Sequence, residues 1–328
     1  MEHSILAKEI LGFYAFEDPE IEFIRHSENM IYKIRDNHNN RNYLLRIHNP
    51  VSEGFSGIQH TLEGLRSEMA LLKGLSASGT IQVQEPVANR FGELVTDYQS
   101  GEHGTQCFAT LLTWMEGSML SLEEGSMEEM AFALGKELGA FHEFTRQFNP
   151  APSFIRPVYD AKRIDFAINE LHYGVEIGLY QIEQLEMIKE VLHIVKQQLI
   201  QLDSRDKAWG IIHADLQLNN IIINNGRPGL IDFSLSGYGY YLFDLGSGSS
   251  ILPKEVRKTF LEGYASKSNF SFDDIRYIEG LIFMDIFISY CFFIRDNNNN
   301  GWIANDVAAL CGSQCKDFIE GKTVFYSF

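Results

Sequence analysis

One short stretch constrains this chain more than any other. Residues 209 to 235 form an island of β-prone sequence, with isoleucines at 211, 212, 221, 222, 223 and 231, in a second half that otherwise reads as helical. At its centre Asn225-Gly226 is the strongest hairpin signal in the chain, since both residues tolerate the positive φ of a two-residue turn. A hairpin centred on Gly226 sets Asn220 opposite Asp232 at its open end, with Cβ atoms roughly 4.5–5.5 Å apart. Pro228 can lengthen the turn and would then move this register by one.

Immediately upstream stands Ile212-His213-Ala214-Asp215-Leu216, so a short loop can bring Asp215 to Asn220 and Asp232. A carboxylate and an amide oxygen across a hairpin suit a hard divalent cation such as Mg²⁺. A second carboxylate beside them can take a proton from an attacking hydroxyl. Phosphoryl transfer needs this combination of a metal to neutralise phosphate charge and a base to orient the nucleophile.

A basic group for the phosphates can be sought independently. Met30 to Arg35 and Asn42 to His48 read as paired strands around the Asp36–Asn40 turn, and Arg46 lies on the second among apolar neighbours. Leu62, Leu65, Met69 and Leu72 trace an amphipathic helix, and Glu68 shares its apolar face. A carboxylate on an inward face needs a partner, and Arg46 is the natural one.

His213-Ala-Asp215-x-x-x-x-Asn220 followed by Ile231-Asp232-Phe233 resembles the catalytic loop and metal-binding pair of the protein-kinase-like fold. More narrowly it resembles the aminoglycoside phosphotransferase and choline kinase superfamily, which has a small residue between His and Asp where protein kinases usually carry Arg. The resemblance runs from about residue 20 to 265 and is most specific between 210 and 245. It implies an α+β, bilobal fold: a nucleotide-binding lobe with a small antiparallel sheet over 1–112, a hinge over 113–118 and a larger, mainly helical catalytic and substrate-binding lobe over 119–328. It implies Asp215 as catalytic base, Asn220 and Asp232 as metal ligands, and His213 and Asp244 as supports of the loop. Arg46 occupies the strand position where the family carries Lys or Arg, with Glu68 orienting it. Leu111-Leu112-Thr113-Trp114-Met115-Glu116-Gly117 resembles the hinge, whose backbone at Thr113 and Met115 would meet the nucleobase of ATP or GTP. The implied activity is transfer of a phosphate to a hydroxyl of a small molecule such as an amino-sugar, an amino alcohol or homoserine, with residues 150–205 and 252–328 forming the acceptor pocket. Two other readings share this site: a Ser/Thr protein kinase, and a nucleotide-binding regulatory protein without turnover.

Motifs that are missing narrow the field. There is no Gly-x-x-x-x-Gly-Lys-Ser/Thr P-loop, and Arg25-His26-Ser27-Glu28-Asn29-Met30 stands where protein kinases carry a glycine-rich loop. No Ala-Pro-Glu follows Asp232. A metal-dependent hydrolase built on His213 and Asp215 lacks further His ligands. With 27 basic and 44 acidic residues the net charge is −17, which argues against nucleic acid as a partner and is compatible with a cationic acceptor.

Four cysteines, at 107, 291, 311 and 315, are too few for a disulfide scaffold and read as buried thiols. The N-terminus shows no secretory signal, and the most apolar run, Leu281 to Ile294, is too short to span a bilayer, contains Asp285 and reads as a core helix. A cytoplasmic enzyme without a membrane partner is expected. Ser126 with Glu129 reads as a capping box, His142 as a structural histidine, and Gly237-x-Gly239 and Gly246-x-Gly248 as flexible loops. The acidic run Glu123, Glu124, Glu128 and Glu129 reads as a solvated face. Tyr238, Tyr240, Tyr241 and Phe243 fit either a substrate pocket or core packing.

Overall fold

The computed structural model describes residues 2–26, 29–48, 57–99, 106–122 and 127–326. The first lobe holds helix α1 (Glu2–Leu11), strands β1 (Glu20–His26), β2 (Asn29–Asp36) and β3 (Arg41–His48), helix α2 (Leu62–Ser78), and strands β4 (Pro86–Val87), β5 (Val95–Gln99) and β6 (Gln106–Thr113). These strands make one antiparallel sheet in the order β1-β2-β3-β6-β4, with β5 also pairing β6. Alternation sorts the side chains of this sheet into two faces. Ile34, Leu45, Ile47, Ala109 and Leu111 pack against Ala7, Ile10 and Leu11 of α1 on one face. Arg46, His48 and Thr110 point to the other, where α2 lies.

Helix α2 starts where the Thr61 hydroxyl accepts the Gly64 N–H at 3.1 Å, and it stops at Gly79, whose φ of 62° only glycine adopts freely. Its apolar stripe, Leu65, Met69, Leu72 and Leu75, is buried as the spacing predicts, at about 1.5–3 kcal/mol per side chain.

After Thr113 the chain crosses into the second lobe through Trp114–Gly117 and strand β7 (Ser118–Met119). There follow α3 (Met127–Gln147), α4 (Ala161–Glu176), α5 (Ile182–Asp203), β8 (Trp209–Ile212), β9 (Ile221–Asn224), β10 (Arg227–Leu230), β11 (Gly237–Tyr240), α6 (Tyr241–Ser250), α7 (Lys254–Ala265), α8 (Ile275–Phe293), α9 (Gly301–Gly312) and α10 (Gln314–Ile319). The fold is thus bilobal and α+β. Ser126 of the expected capping box, along with Glu123 and Glu124, lies outside the described residues. Among the described residues no helix is long and apolar enough to cross a membrane.

Several expectations need correction. Helix α1 was not foreseen. The glycines at 237, 239, 246 and 248 sit in β11 and α6 rather than in loops; a Cβ on Gly237 would stand 2.2 Å from the Pro157 carbonyl oxygen, so close packing accounts for it. The ambiguous aromatics Tyr240, Tyr241 and Phe243 are buried core residues. Cys311 and Cys315 are buried as expected, but a break at Ser313 puts them on successive helices rather than on one.

Candidate active site

The hairpin forms with β9 and β10 antiparallel, Arg227 facing Asn224 and Leu230 facing Ile221. The turn is Asn225 and Gly226, with φ of 52° and 75°. Its centre therefore falls between these residues and not on Gly226, and the register moves by one. Asn220 meets Ile231, whose N–H donates to its carbonyl at 3.0 Å. Asp232 steps out of the ladder in a left-handed conformation, φ 61°.

The loop carrying Asp215 is held by Asp244, in the first turn of α6. One Asp244 oxygen accepts the His213 N–H at 2.7 Å and the Nε2 of His142 at 2.9 Å; the other accepts the Ala214 N–H at 2.8 Å. Ala214 sits at φ 62°, a conformation costing an L-residue about 1–2 kcal/mol, and the Asp244 bonds hold it there. His213 bonds the Ile231 carbonyl through Nε2 at 3.0 Å and packs on Phe233, tying the loop to the strand that leads into Asp232. His142 is wedged between Asp244 and Tyr264, the structural role expected of it.

Asp215 accepts the amides of Gln217 at 2.7 Å and Asn220 at 2.8 Å. Burial, and next the facing charge of Asp232, push its carboxyl up to about 6. The Asn220 Nδ2 is committed to Asp215, which leaves its Oδ1 without a hydrogen bond. Two mutually repelling carboxylates and a free amide oxygen are a hard donor set. Among the described residues no group of three or more His, Cys, Asp or Glu is placed to ligate. So sparse a set fits Mg²⁺, which keeps several waters and shares phosphate oxygens.

In the first lobe Arg46 and Glu68 pair at 2.7 Å, both buried. The polar chain extends further than the sequence suggested. Arg46 Nε donates to the Thr110 hydroxyl at 3.2 Å, and that hydroxyl lies 3.1 Å from His48 Nε2. His48 Nδ1 donates to Asn29 Oδ1 at 2.8 Å. Burial, then Arg46 and His60, drive the His48 pKa well down. The ring is neutral, and the hydrogen bonds fix its tautomer. The second oxygen of Glu68 is buried without a partner.

Across the cleft, Arg156 is buried and spends its guanidinium on backbone carbonyls: Gly64 of α2 at 3.0 Å, and Phe233, Ser234 and Ser236 at 2.8, 2.6 and 2.7 Å. It binds the helix carrying Glu68 to the segment that follows Asp232.

The two hinge residues are placed differently. Thr113 has its N–H on Glu85, its hydroxyl on the Glu85 N–H and its carbonyl on Gln84. Its backbone is already committed to the sheet. Among the described residues the Met115 backbone has no hydrogen-bond partner, and its sulfur rests over Gly229.

A cavity of about 430 Å³ between the lobes is lined by Arg46, Asp215, Asn220 and Asp232, and also by Asp285 of α8. Sequence reasoning noticed Asp285 as an interruption in an apolar run and gave it no role. Ser247 donates to it, and burial with the charges of Asp215 and Asp244 pushes its carboxyl up to about 7. Of the two stretches expected to form the acceptor side, the first contributes Tyr159 and the second contributes one face of α8, ending at Phe293.

The chain is 23% identical over 246 residues to amicoumacin kinase of Bacillus subtilis (strain 168), a match covering 74% of this chain and 66% of that protein, just under two thirds of its length. An amicoumacin kinase structure in complex with AMP-PNP, Ca²⁺ and Ami superposes over 100% of this chain and 96% of that one, at TM-score 0.78 and 19% identity. A microcompartment-associated aminopropanol kinase superposes over 98% and 99% at 0.77 and 18%, and choline kinase from Cryptosporidium parvum Iowa II over 97% of each chain at 0.68 and 14%. Residues 20–278 match the model of the phosphotransferase enzyme family, and the chain belongs to that family.

Proposed function

We propose that this chain transfers the γ-phosphate of ATP or GTP to the hydroxyl of a small amino alcohol, with Asp215 as the base. The observation that carries this reading is one cavity holding a buried Arg46–Glu68 pair at one end and Asp215 facing Asp232 at the other. Asp232 and Asn220 would hold Mg²⁺, which supplies neutralisation of phosphate charge when bound. Arg46, fixed by Glu68 and Thr110, binds the phosphates. Met115, with its free backbone groups, meets the nucleobase edge. Asp215 accepts a hydrogen bond from the acceptor hydroxyl, orients its oxygen toward the phosphorus and takes up its proton as the bond forms.

Asp285 supports an acceptor that carries an amine. Of the charged residues lining the cavity, this carboxylate is the one that comes from α8, whose Ile286 and Phe292 line it too. An ammonium group beside Asp285 would offset the burial and the Asp215 and Asp244 charges that raise its carboxyl. An aminopropanol kinase and a choline kinase among the similar structures are named for amino alcohols.

A coupled ADP- or GDP-release assay over aminopropanol, ethanolamine, choline, homoserine, aminoglycosides, neutral sugars and a generic protein tests the proposal, with Asp215→Asn as control. Phosphorylation of an amine-bearing alcohol that disappears in the variant is the expected result. Transfer to protein alone, or turnover that survives in the variant, would overturn it.

A further inference from the structure

The loop between β1 and β2 contains no glycine where protein kinases wrap phosphates in backbone N–H groups, so phosphate contacts from this side need another donor. Strand β1 supplies one through an irregularity. Ile21 pairs with Ile34 and Phe23 with Tyr32, which puts both on the face of α1. Simple alternation would send Arg25 to that face and Ile24 to the cleft. The register instead slips between Phe23 and Arg25, so that Arg25 pairs with Ile31. A bulge of this kind re-aims the side chain that follows it.

Ile31 in turn faces Arg46, and Arg46 faces Thr110. Directly opposed residues share a face, so Arg25, Ile31, Arg46 and Thr110 form one row across four strands, looking into the cleft. The cavity is lined by two cations, Arg25 and Arg46, both from this row. Asn29, at the start of β2, is anchored on His48, so the Glu68–Arg46–Thr110–His48 chain also fixes the base of the Arg25 loop.

The Arg25 guanidinium reaches 3.9 Å from an oxygen of Asp232, with 54% of its side chain exposed. Such a separation is too long for a hydrogen bond, and an exposed pair of this kind contributes little to stability. The side chain therefore points at the phosphate end of the cleft, and among the described residues no hydrogen bond commits its donors.

We propose that Arg25 is a second phosphate-binding side chain of this site, contacting the terminal phosphates of the nucleotide while Arg46 holds those nearer the nucleoside. The inference rests on the nucleotide-transfer reading above. In the bound state Asp232 faces the metal, and the Arg25 fork moves from that carboxylate to a phosphate oxygen, an acceptor its geometry suits.

Titration calorimetry of the full chain with ATP, ADP and AMP, each with Mg²⁺ and again with EDTA, tests this on wild type, Arg25→Gln, Arg25→Lys and Arg41→Gln. Arg41 lies exposed at the far end of the β2–β3 hairpin and controls for net charge. For Arg25→Gln the ATP affinity should fall by about tenfold to about a hundredfold with and without metal, while AMP affinity stays within about twofold. Arg25→Lys should recover part of the loss, Arg41→Gln should match wild type, and the thermal midpoints should coincide. Equal ATP affinities in Arg25→Gln and wild type would overturn the proposal. A rise in affinity would overturn it too, by making Arg25 a latch on Asp232. If wild type itself binds no nucleotide, the transfer reading fails, and that result is separate from any effect of the substitution.

Discussion

Asp215 enters the cavity from a loop whose neighbours are all tied down, whereas Asp285 enters it from a helix that is apolar on both sides. The segment from Trp209 to Ser250 fixes Asp215 through Asp244, His213 and Asn220, each with hydrogen-bond partners of its own. Among the described residues Asp285, on helix α8, has a single side-chain hydrogen-bond partner, Ser247 of α6. Chemistry at the transferred phosphate needs one geometry whatever the acceptor, so its carboxylate is over-determined. On the proposed function Asp285 would meet the acceptor, and a carboxylate with one side-chain partner can be replaced without disturbing the loop.

The largest effect should come from the over-determined side. Asp215→Asn keeps an acceptor for one of the two amides and removes the proposed base, and transfer should slow by about 10²–10⁴-fold while nucleotide affinity stays within about twofold by calorimetry. Removing the support instead of the base should appear in stability. Asp244→Asn loses charge-assisted bonds to two backbone N–H groups, and the thermal midpoint should drop by roughly 5 °C, from a loss of about 2–3 kcal/mol. An unchanged midpoint would mean that the loop holds its own shape.

Smaller effects should follow on α8. Asp285→Asn should raise the KM for an amine-bearing acceptor by about tenfold, with the KM for ATP unmoved. If both constants rise together, Asp285 supports the loop and the contrast drawn here collapses. The same substitution should show a pH signature. The folded-state carboxyl titrates at about 7, above the roughly 3.9 of an unfolded Asp, so the folded protein binds the extra proton between those values. The stability this brings is complete below pH 4 and lost as pH rises through 7. Asp285→Asn should therefore gain about 5 °C in thermal midpoint at pH 8 relative to its change at pH 5, by scanning calorimetry.

The catalytic segment was legible because its chemistry is local. His213, Asp215 and Asn220 lie within eight residues, and the Asn225-Gly226 turn announces its own geometry. The register missed by one because a two-residue turn has its centre between residues. Arg46 and Glu68 were legible because a charge on an apolar face calls for a partner. Asp285 satisfied the same rule and was passed over, since its partner and its cavity come from elements far away in the chain. The Thr113 commitments and the Arg25 row were not legible at all. They depend on strand order and on a bulge, which no periodicity within one strand reveals. Helix α1 was missed for a simpler reason: Ala7, Ile10, Leu11 and Tyr14 give an apolar stripe barely two turns long.

Arg156 has a mechanical consequence. One guanidinium clasps a carbonyl of α2 together with three carbonyls beyond Asp232, and all but the bond to Ser234 are buried. Helix α2 cannot swing outward without dragging the Asp232 segment along, so the two parts travel as a single rigid cam.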